Sequence, residues 1–307
     1  MLWLCGIGLA ADVWVGGGVS GGVTFDPAGL SYPPAQAEID LRVATDLLYL
    51  QVDADVHFDL NVPGVAAYPL PPEWASLQIG RETYHLKVGV NNPAIGVQAW
   101  DEWDNYLPTV SQSWAFQPAQ IVGLEPGMTF EDGGEVFVWG GYDLAWFAPN
   151  VGAGYASEQD AWSTWSGVYA YPTLDCGTAT PGTYVGAVGA FEVYPSDALW
   201  LTVDGTGGLA CGTQFVSGQL IVNVVPEAIV APAARIEATY DPDAFGTGNN
   251  WAVSVGARSF PVDWLWVAVD GKAMFVGDTM TPSVTLMVGA RRPEPEGGSA
   301  VYEEEEE

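Results

Sequence analysis

The stretch Leu50-Gln51-Val52-Asp53-Ala54-Asp55-Val56-His57-Phe58-Asp59-Leu60 alternates strictly between apolar and polar side chains. A period of two predicts a β-strand with one polar face and one apolar face. The pattern recurs along the chain in segments separated by turn residues, and no segment has a convincing helical periodicity. Many two-faced strands either stack two sheets around a dry core or close around a wet lumen with lipid outside.

The composition favours the closed barrel. The 307 residues are 49% hydrophobic and include 14 tryptophans, and outer-membrane barrels concentrate Trp and Tyr in two interfacial girdles. The polar faces carry almost no lysine, since only Lys87 and Lys272 occur, whereas a soluble sandwich exposes mixed charges with many lysines. We therefore predict an all-β fold, a single antiparallel transmembrane β-barrel of about 12–16 strands with extracellular loops.

Beyond residue 120, turn residues divide the chain into regular hairpins. Glu131-Asp132-Gly133-Gly134 and Pro195-Ser196-Asp197 each lie between two alternating segments. Asp270-Gly271-Lys272 is predicted to be another turn, because Asp-Gly is a common turn dipeptide.

The predicted barrel occupies residues 12–292, where no break in composition separates two domains. Residues 1–11 are apolar and end in Ala10-Ala11, which predicts a cleaved secretory signal peptide, although no basic residue precedes the apolar run. Residues 293–307 end in five glutamates and predict a disordered acidic tail.

The charge balance restricts the partners of the chain. Thirty-eight acidic and 8 basic residues give a formal net charge of −30, which excludes nucleic acid because phosphate contacts need Lys and Arg. The expected partners are the lipid bilayer and small solutes or cations. The sequence does not decide whether the chain forms a homo-oligomer. Residues 241–246 fail as a calcium loop because Phe245 occupies a ligand position, so no metal and no cofactor is predicted.

An acidic face is predicted to line the pore. Its residues are Glu38, Asp40, Arg42, Asp53, Asp55, His57 and Asp59. Inward carboxylates lower the free energy of cations in a pore and raise that of anions. The alternative is the solvated outer face of a soluble sheet. The chain has only two histidines, His57 and His85, both in the middle of a strand, so no catalytic Asp-His pair and no enzyme is predicted.

The longest aperiodic stretch of the first half follows the early strands, at residues 100–120. It places acids among aromatic side chains: Trp100, Asp101, Glu102, Trp103, Asp104 and Tyr106. Such a loop either folds inward, where it narrows the pore or binds a cation or sugar, or stays exposed as part of an interfacial girdle. Both alternatives remain open.

Two cysteines would remain after removal of a signal that contains Cys5. Cys176 and Cys211 both lie in Gly/Thr-rich segments that resemble loops at matching ends of strands. An even pair in an exported protein predicts a disulfide, and the alternative is two unpaired thiols.

Two segments of the first half, Glu73-Trp74-Ala75-Ser76-Leu77-Gln78-Ile79-Gly80-Arg81 and Val88-Gly89-Val90-Asn91-Asn92-Pro93-Ala94-Ile95-Gly96, resemble the β-barrel porin type of bacterial outer-membrane protein. Members of this family often have a strand that ends in Gly-Arg, a short apolar strand and then a long polar and aromatic loop. The resemblance covers residues 36–150 and implies a channel or uptake role without naming a substrate. The chain departs from the family at its end, where an acidic tail follows Arg291 instead of a terminal aromatic residue.

Together these patterns predict a porin-like channel of the bacterial outer membrane, for passive diffusion of small solutes with a preference for cations. The alternative is a secreted or surface β-sheet protein that binds carbohydrate or calcium through its aromatic and acidic loops. A barrel with a plugged lumen and a structural or adhesive role is a third hypothesis.

Overall fold

The computed structural model describes residues 2–3, 10–33, 35–59, 61, 66–69, 74–80, 83–96, 107, 116–118, 120–176, 182–225, 228–241 and 248–292. Nineteen β-strands occur in these ranges: β1 Leu2–Trp3, β2 Ala10–Asp26, β3 Gly29–Ser31, β4 Ala35–Ala44, β5 Leu48–Asp59, β6 Ala66–Pro69, β7 Trp74–Ile79, β8 Tyr84–Asn91, β9 Ile121–Thr129, β10 Glu135–Asp143, β11 Ala148–Gln159, β12 Trp162–Leu174, β13 Gly182–Ser196, β14 Leu199–Ala210, β15 Thr213–Val224, β16 Val230–Tyr240, β17 Asn250–Val262, β18 Leu265–Val276 and β19 Thr279–Arg291.

Sixteen of these described strands form one closed antiparallel ring. Each long strand pairs with the next one along the chain, and β19 pairs with β2 through residues 284–291 against 18–25. The strands β3 and β6 continue the sheet beyond β4 and β7, and β1 pairs with the start of β2. The ring confirms the predicted all-β barrel and lies at the upper end of the predicted strand number.

The two faces of the barrel are inverted relative to a soluble protein. In β16, Arg235 and Glu237 are buried on the inner face, whereas Ile236 between them is 56% exposed. The same alternation leaves valine, leucine and isoleucine side chains exposed on strands around the ring. Lipid is the environment in which such an outer surface is stable, because in water it would form one large apolar patch.

Exposed aromatic side chains lie near both ends of the strands. At the end where the longer connections lie, Trp251 of β17 stacks on Phe275 of β18 with ring centroids 3.9 Å apart. At the end with short turns, Tyr84 and Trp264 are 71% and 55% exposed. The arrangement matches the two aromatic girdles of a barrel that crosses a bilayer.

One predicted turn is wrong. Strand β18 runs without interruption through Asp270, Gly271 and Lys272, which pair with β17 on one side and β19 on the other. The Asp-Gly dipeptide is a local preference, and continuous cross-strand hydrogen bonding on both sides overrides it.

The predicted bounds of the signal peptide, the barrel and the tail stay predictions. Leu2–Trp3 pairs with Ala10 and Ala11, and β2 begins at Ala10, within the predicted signal peptide. The signal peptide stays a prediction, and the predicted acidic tail, residues 293–307, lies outside the described residues. Among the described residues, no helix is long and apolar enough to cross a membrane.

Candidate functional site

The predicted pore-lining residues share the inner face of β4 and β5. The register places them directly across the two strands: Glu38 opposite Asp55, Asp40 opposite Asp53, and Arg42 opposite Gln51. Asp53 and Asp55 are 5% and 3% exposed, whereas Ile39 on the opposite face is 65% exposed. The structure therefore brings these side chains together on the wall of the lumen.

Neutral amides hold the carboxylates of this acidic wall. Gln36 Nε2 donates to Asp55 Oδ1 at 3.0 Å, and Gln51 Nε2 donates to Asp53 Oδ2 at 2.8 Å. An amide donor fixes the position of a carboxylate without neutralising its charge. These hydrogen bonds therefore fix the orientation of the two carboxyl groups on the lumen side of β5.

The other predicted pore-lining residues extend this wall. The Arg42 guanidinium lies over the Trp14 ring, 5.0 Å from its centroid, in a cation–π contact. His57 is half-buried on β5. Asp59, the last residue of β5, accepts a hydrogen bond from the backbone N–H of Asn61 at 2.9 Å, so it shapes the end of the strand.

A second group of charges lies on β16 and β18 and was missed by the sequence analysis. Lys272 Nζ lies 2.5 Å from Glu237 Oε1, and Arg235 Nε lies 3.8 Å from Glu237 Oε2. Their residue types alone gave no signal, because the register of β16, β17 and β18 is what brings them together. Here bases offset acids, in contrast to the wall of β4 and β5.

Buried charges on the described residues are overwhelmingly negative. The buried carboxylates are Asp40, Asp53, Asp55, Glu125, Asp143, Glu192, Asp204, Glu237, Asp241 and Asp270, and the one buried arginine or lysine among the described residues is Arg235.

The connection between β8 and β9 enters the lumen at both of its described ends, residues 92–96 and 116–118, and is called the inward segment below. Ile95 is fully buried, and it lies in a notch formed by Gly154 of β11 and Gly167 of β12, which are paired across the two strands. A Cβ atom added to Gly154 or Gly167 would lie 2.9 or 2.5 Å from Ile95 Cγ2. The backbone N–H of Gly96 also donates to the Trp165 carbonyl at 3.3 Å. This notch holds the outgoing end of the segment against the inner wall.

The returning end of the segment docks on the same wall. The Phe116 carbonyl accepts hydrogen bonds from the hydroxyls of Tyr169, at 2.6 Å, and Tyr184. The Phe116 ring stacks on Phe215 with centroids 5.1 Å apart, and Gln117 Nε2 donates to Asp204 Oδ2 at 3.3 Å. Both ends of the segment therefore enter the barrel. The predicted loop residues Trp100, Asp101, Glu102, Trp103, Asp104 and Tyr106 lie outside the described residues.

An apolar cluster inside the barrel surrounds these two ends. It includes Ile95, Phe116, Phe137, Trp139, Tyr169, Tyr171, Tyr184 and Phe215. Period-two reasoning missed it, because inward positions were expected to be polar. The signal was present as aromatic residues on the same strand face as buried polar ones, such as Tyr169 with Ser163. The cluster occupies the lumen beside β10–β15, whereas β4 and β5 lie across the ring from these strands.

The two cysteines are joined at the end of the barrel with longer connections. Cys176, after β12, and Cys211, between β14 and β15, form a disulfide with Cα atoms 5.9 Å apart. The bridge spans 35 residues of sequence and links the connections on either side of β13 and β14.

Reduction of this disulfide is expected to lower the temperature at which the barrel unfolds. A crosslink over 35 residues lowers the conformational entropy of the unfolded chain. In the chain-entropy model this raises the free energy of unfolding by about 3–4 kcal/mol. The measurement is the temperature at which the band of the unboiled, folded protein is lost on a gel, with and without dithiothreitol. The double variant Cys176→Ser/Cys211→Ser is the control and must not respond to the reductant. An unchanged unfolding temperature of the reduced wild type would contradict the prediction.

Solved structures with the same architecture are outer-membrane proteins. No protein-family model and no curated protein matches the chain. OmpF of Salmonella typhi, solved with daunomycin, is similar with a TM-score of 0.70 and 10% identity, covering 91% of this chain and 97% of that one. The anion-selective porin of Comamonas acidovorans has a TM-score of 0.64 and 11% identity, and the trimer form of OmpT of Vibrio cholerae has 0.64 and 10%; both matches cover 92% of this chain and 100% of the other. Identities this low show the fold alone, and that fold is the 16-stranded barrel of the outer-membrane porins.

Proposed function

We propose that the chain is a porin-like channel of a Gram-negative outer membrane, through which small solutes diffuse passively and cations pass preferentially. The observation that carries the proposal is the excess of buried carboxylates on the inner wall, ten against a single buried arginine among the described residues. The channel transfers solutes without catalysing a reaction.

Side chains, not the fold, set the sign of the selectivity. The Comamonas acidovorans porin has the same architecture and is described as anion-selective. In this chain the carboxyl groups of Asp53 and Asp55 are oriented by amide donors on the lumen side of β5. In a narrow pore with a low-dielectric wall, such charges concentrate cations and repel anions.

The inward segment supports a defined size limit for solutes. Its ends are docked by Ile95 and Phe116 on the inner wall of β11–β15. The remaining passage would run along the opposite side, past β4 and β5. A homo-oligomer also remains a proposal, supported by the trimer form of the similar OmpT.

The test is electrical. The folded protein is inserted into planar bilayers that separate concentrated from dilute potassium chloride, and the reversal potential is measured. We expect conductance to increase in steps as single channels insert. The reversal potential should have the sign produced by potassium flow, and its magnitude should approach about 59 mV for a tenfold gradient if selectivity is complete. Absence of conductance from a correctly folded barrel would refute the channel. Conductance with a reversal potential of the opposite sign would refute only the cation preference.

A further inference from the structure

A histidine and two glutamates converge on the inner wall near the end with short turns. They come from three neighbouring strands: His85 from β8, Glu125 from β9 and Glu135 from β10. One ligand atom of each residue lies within 4.8 Å of those of the other two. His85 Nε2 lies 3.1 Å from Glu135 Oε1. His85 is one of the two histidines of the chain and has no part in the predicted pore lining.

A glycine leaves the space in which these groups meet. Gly127 of β9 pairs with His85 on one side and with Phe137 on the other, so it stands between β8 and β10. A Cβ atom at this position would lie 2.3 Å from His85 Nε2 and 3.3 Å from Glu135 Oε1. Any other residue at position 127 would therefore separate the imidazole from the carboxylate.

The polar atoms of the cluster are buried and incompletely satisfied. The side chains of His85 and Glu125 are 4% and 2% exposed. Glu125 Oε1 forms an ion pair with Lys87 Nζ at 2.8 Å, whereas Glu125 Oε2 and His85 Nε2 have no hydrogen-bond partner of good geometry among the described residues. Buried polar atoms almost always have a partner, so the unsatisfied Glu125 Oε2 and His85 Nε2, in a cluster whose ligand atoms lie within 4.8 Å of one another, are consistent with an additional ligand.

We propose that His85, Glu125 and Glu135 bind a divalent transition-metal ion of the zinc type. Imidazole nitrogen and carboxylate oxygen are ligands of Zn²⁺, and three protein ligands with one water is a common coordination. His85 Nε2, Glu125 Oε2 and a Glu135 oxygen are the ligands, and Glu125 Oε1 keeps its ion pair with Lys87. The Glu135 and Lys87 side chains are 26% and 27% exposed, which gives the ion access from the lumen. The site goes beyond the proposed channel and does not depend on conduction.

The test is calorimetric titration of zinc chloride into the full-length barrel, purified and folded in detergent. His57→Gln is the matched control, because His57 is the other histidine of the chain and also lies on the inner wall, on β5. Wild type and His57→Gln are expected to bind Zn²⁺ with the same affinity, and His85→Gln at least about 10-fold more weakly. The mobility of each unboiled protein on a gel verifies that the barrel is folded.

Two further variants keep the test decisive if His85→Gln does not fold. Glu135→Gln, at the more exposed edge of the cluster, is expected to weaken Zn²⁺ binding, and Lys87→Gln to leave it equal or tighter because a repelling ammonium is removed. Equal affinity of the Glu135→Gln or His85→Gln variant and the wild type would overturn the site. The site would also be overturned if His57→Gln lost as much Zn²⁺ affinity as His85→Gln, or if the wild type bound Mg²⁺ as tightly as Zn²⁺. Either result would mean that cations are attracted to the acidic lumen as a whole and not to this cluster.

Discussion

Replacing Gly167 with leucine is expected to increase the single-channel conductance at least about twofold. The inner face of β12 leaves space at Gly167 for Ile95, and a Cβ atom there would already lie 2.5 Å from Ile95 Cγ2. A leucine fills the notch completely, so the outgoing end of the inward segment must leave the wall. The described residues 92–96 lie inside the barrel, so their displacement from the wall is expected to widen the free cross-section of the lumen. The measurement is conductance in planar bilayers.

Gly189 provides the matched control for this substitution. It lies on β13, the strand next to β12, but it faces outward, and a Cβ atom added to it would have nothing within 4 Å. Gly189→Leu therefore adds the same side chain to the lipid-facing surface and is expected to leave conductance unchanged. If Gly167→Leu folds and conducts like the wild type, the docked segment does not limit the pore.

Neutralising the acidic wall is expected to reduce the cation preference by more than about half. The triple variant Asp40→Asn/Asp53→Asn/Asp55→Asn removes three buried carboxylates from β4 and β5 and keeps the shape of each side chain. The fold should persist, because an uncharged amide removes the repulsion between carboxylates that face each other across the strands. The reversal potential in a potassium chloride gradient measures the change.

Three exposed acids provide an equal change of charge outside the lumen. Asp46, Asp160 and Asp197 lie in short turns at one end of the barrel, and their replacement by asparagine removes the same three charges. This control is expected to retain most of the reversal potential of the wild type. An unchanged reversal potential in the triple variant of the wall would contradict its role in selectivity, whatever the conductance.

The alternation of residues 50–60 predicted a two-faced strand, and the tryptophan and lysine contents then favoured a barrel over a sandwich. Strict period two in β5 assigns Asp53 and Asp55 to one face, and the single short turn at residues 45–47 fixes their register against Glu38 and Asp40. Near neighbours in sequence are therefore placed correctly by local rules. The closure of the ring followed from the same pattern, since exposed apolar strands cannot leave open edges.

Contacts between distant segments could not be predicted in the same way. The cluster around Phe116 depends on Tyr169, Tyr184 and Phe215, which lie on three different strands. Periodicity predicts which side chains of a strand share a face. It does not predict which strands will be contacted by a connection that folds into the barrel. The proximity of His85 to Glu135 likewise depends on the register of three strands and on the missing side chain of Gly127.

The pairing of β19 with β2 makes closure of the barrel all-or-none. Residues 284–291 hydrogen-bond to residues 18–25, so β19, at one end of the ring in sequence, supplies the partner of β2, at the other end. A chain truncated before Thr279 is not a smaller pore, because it retains two unpaired sheet edges that lipid cannot hydrogen-bond. Such a fragment would instead pair edge to edge with other chains. The ring therefore closes only in a molecule that contains both β2 and β19.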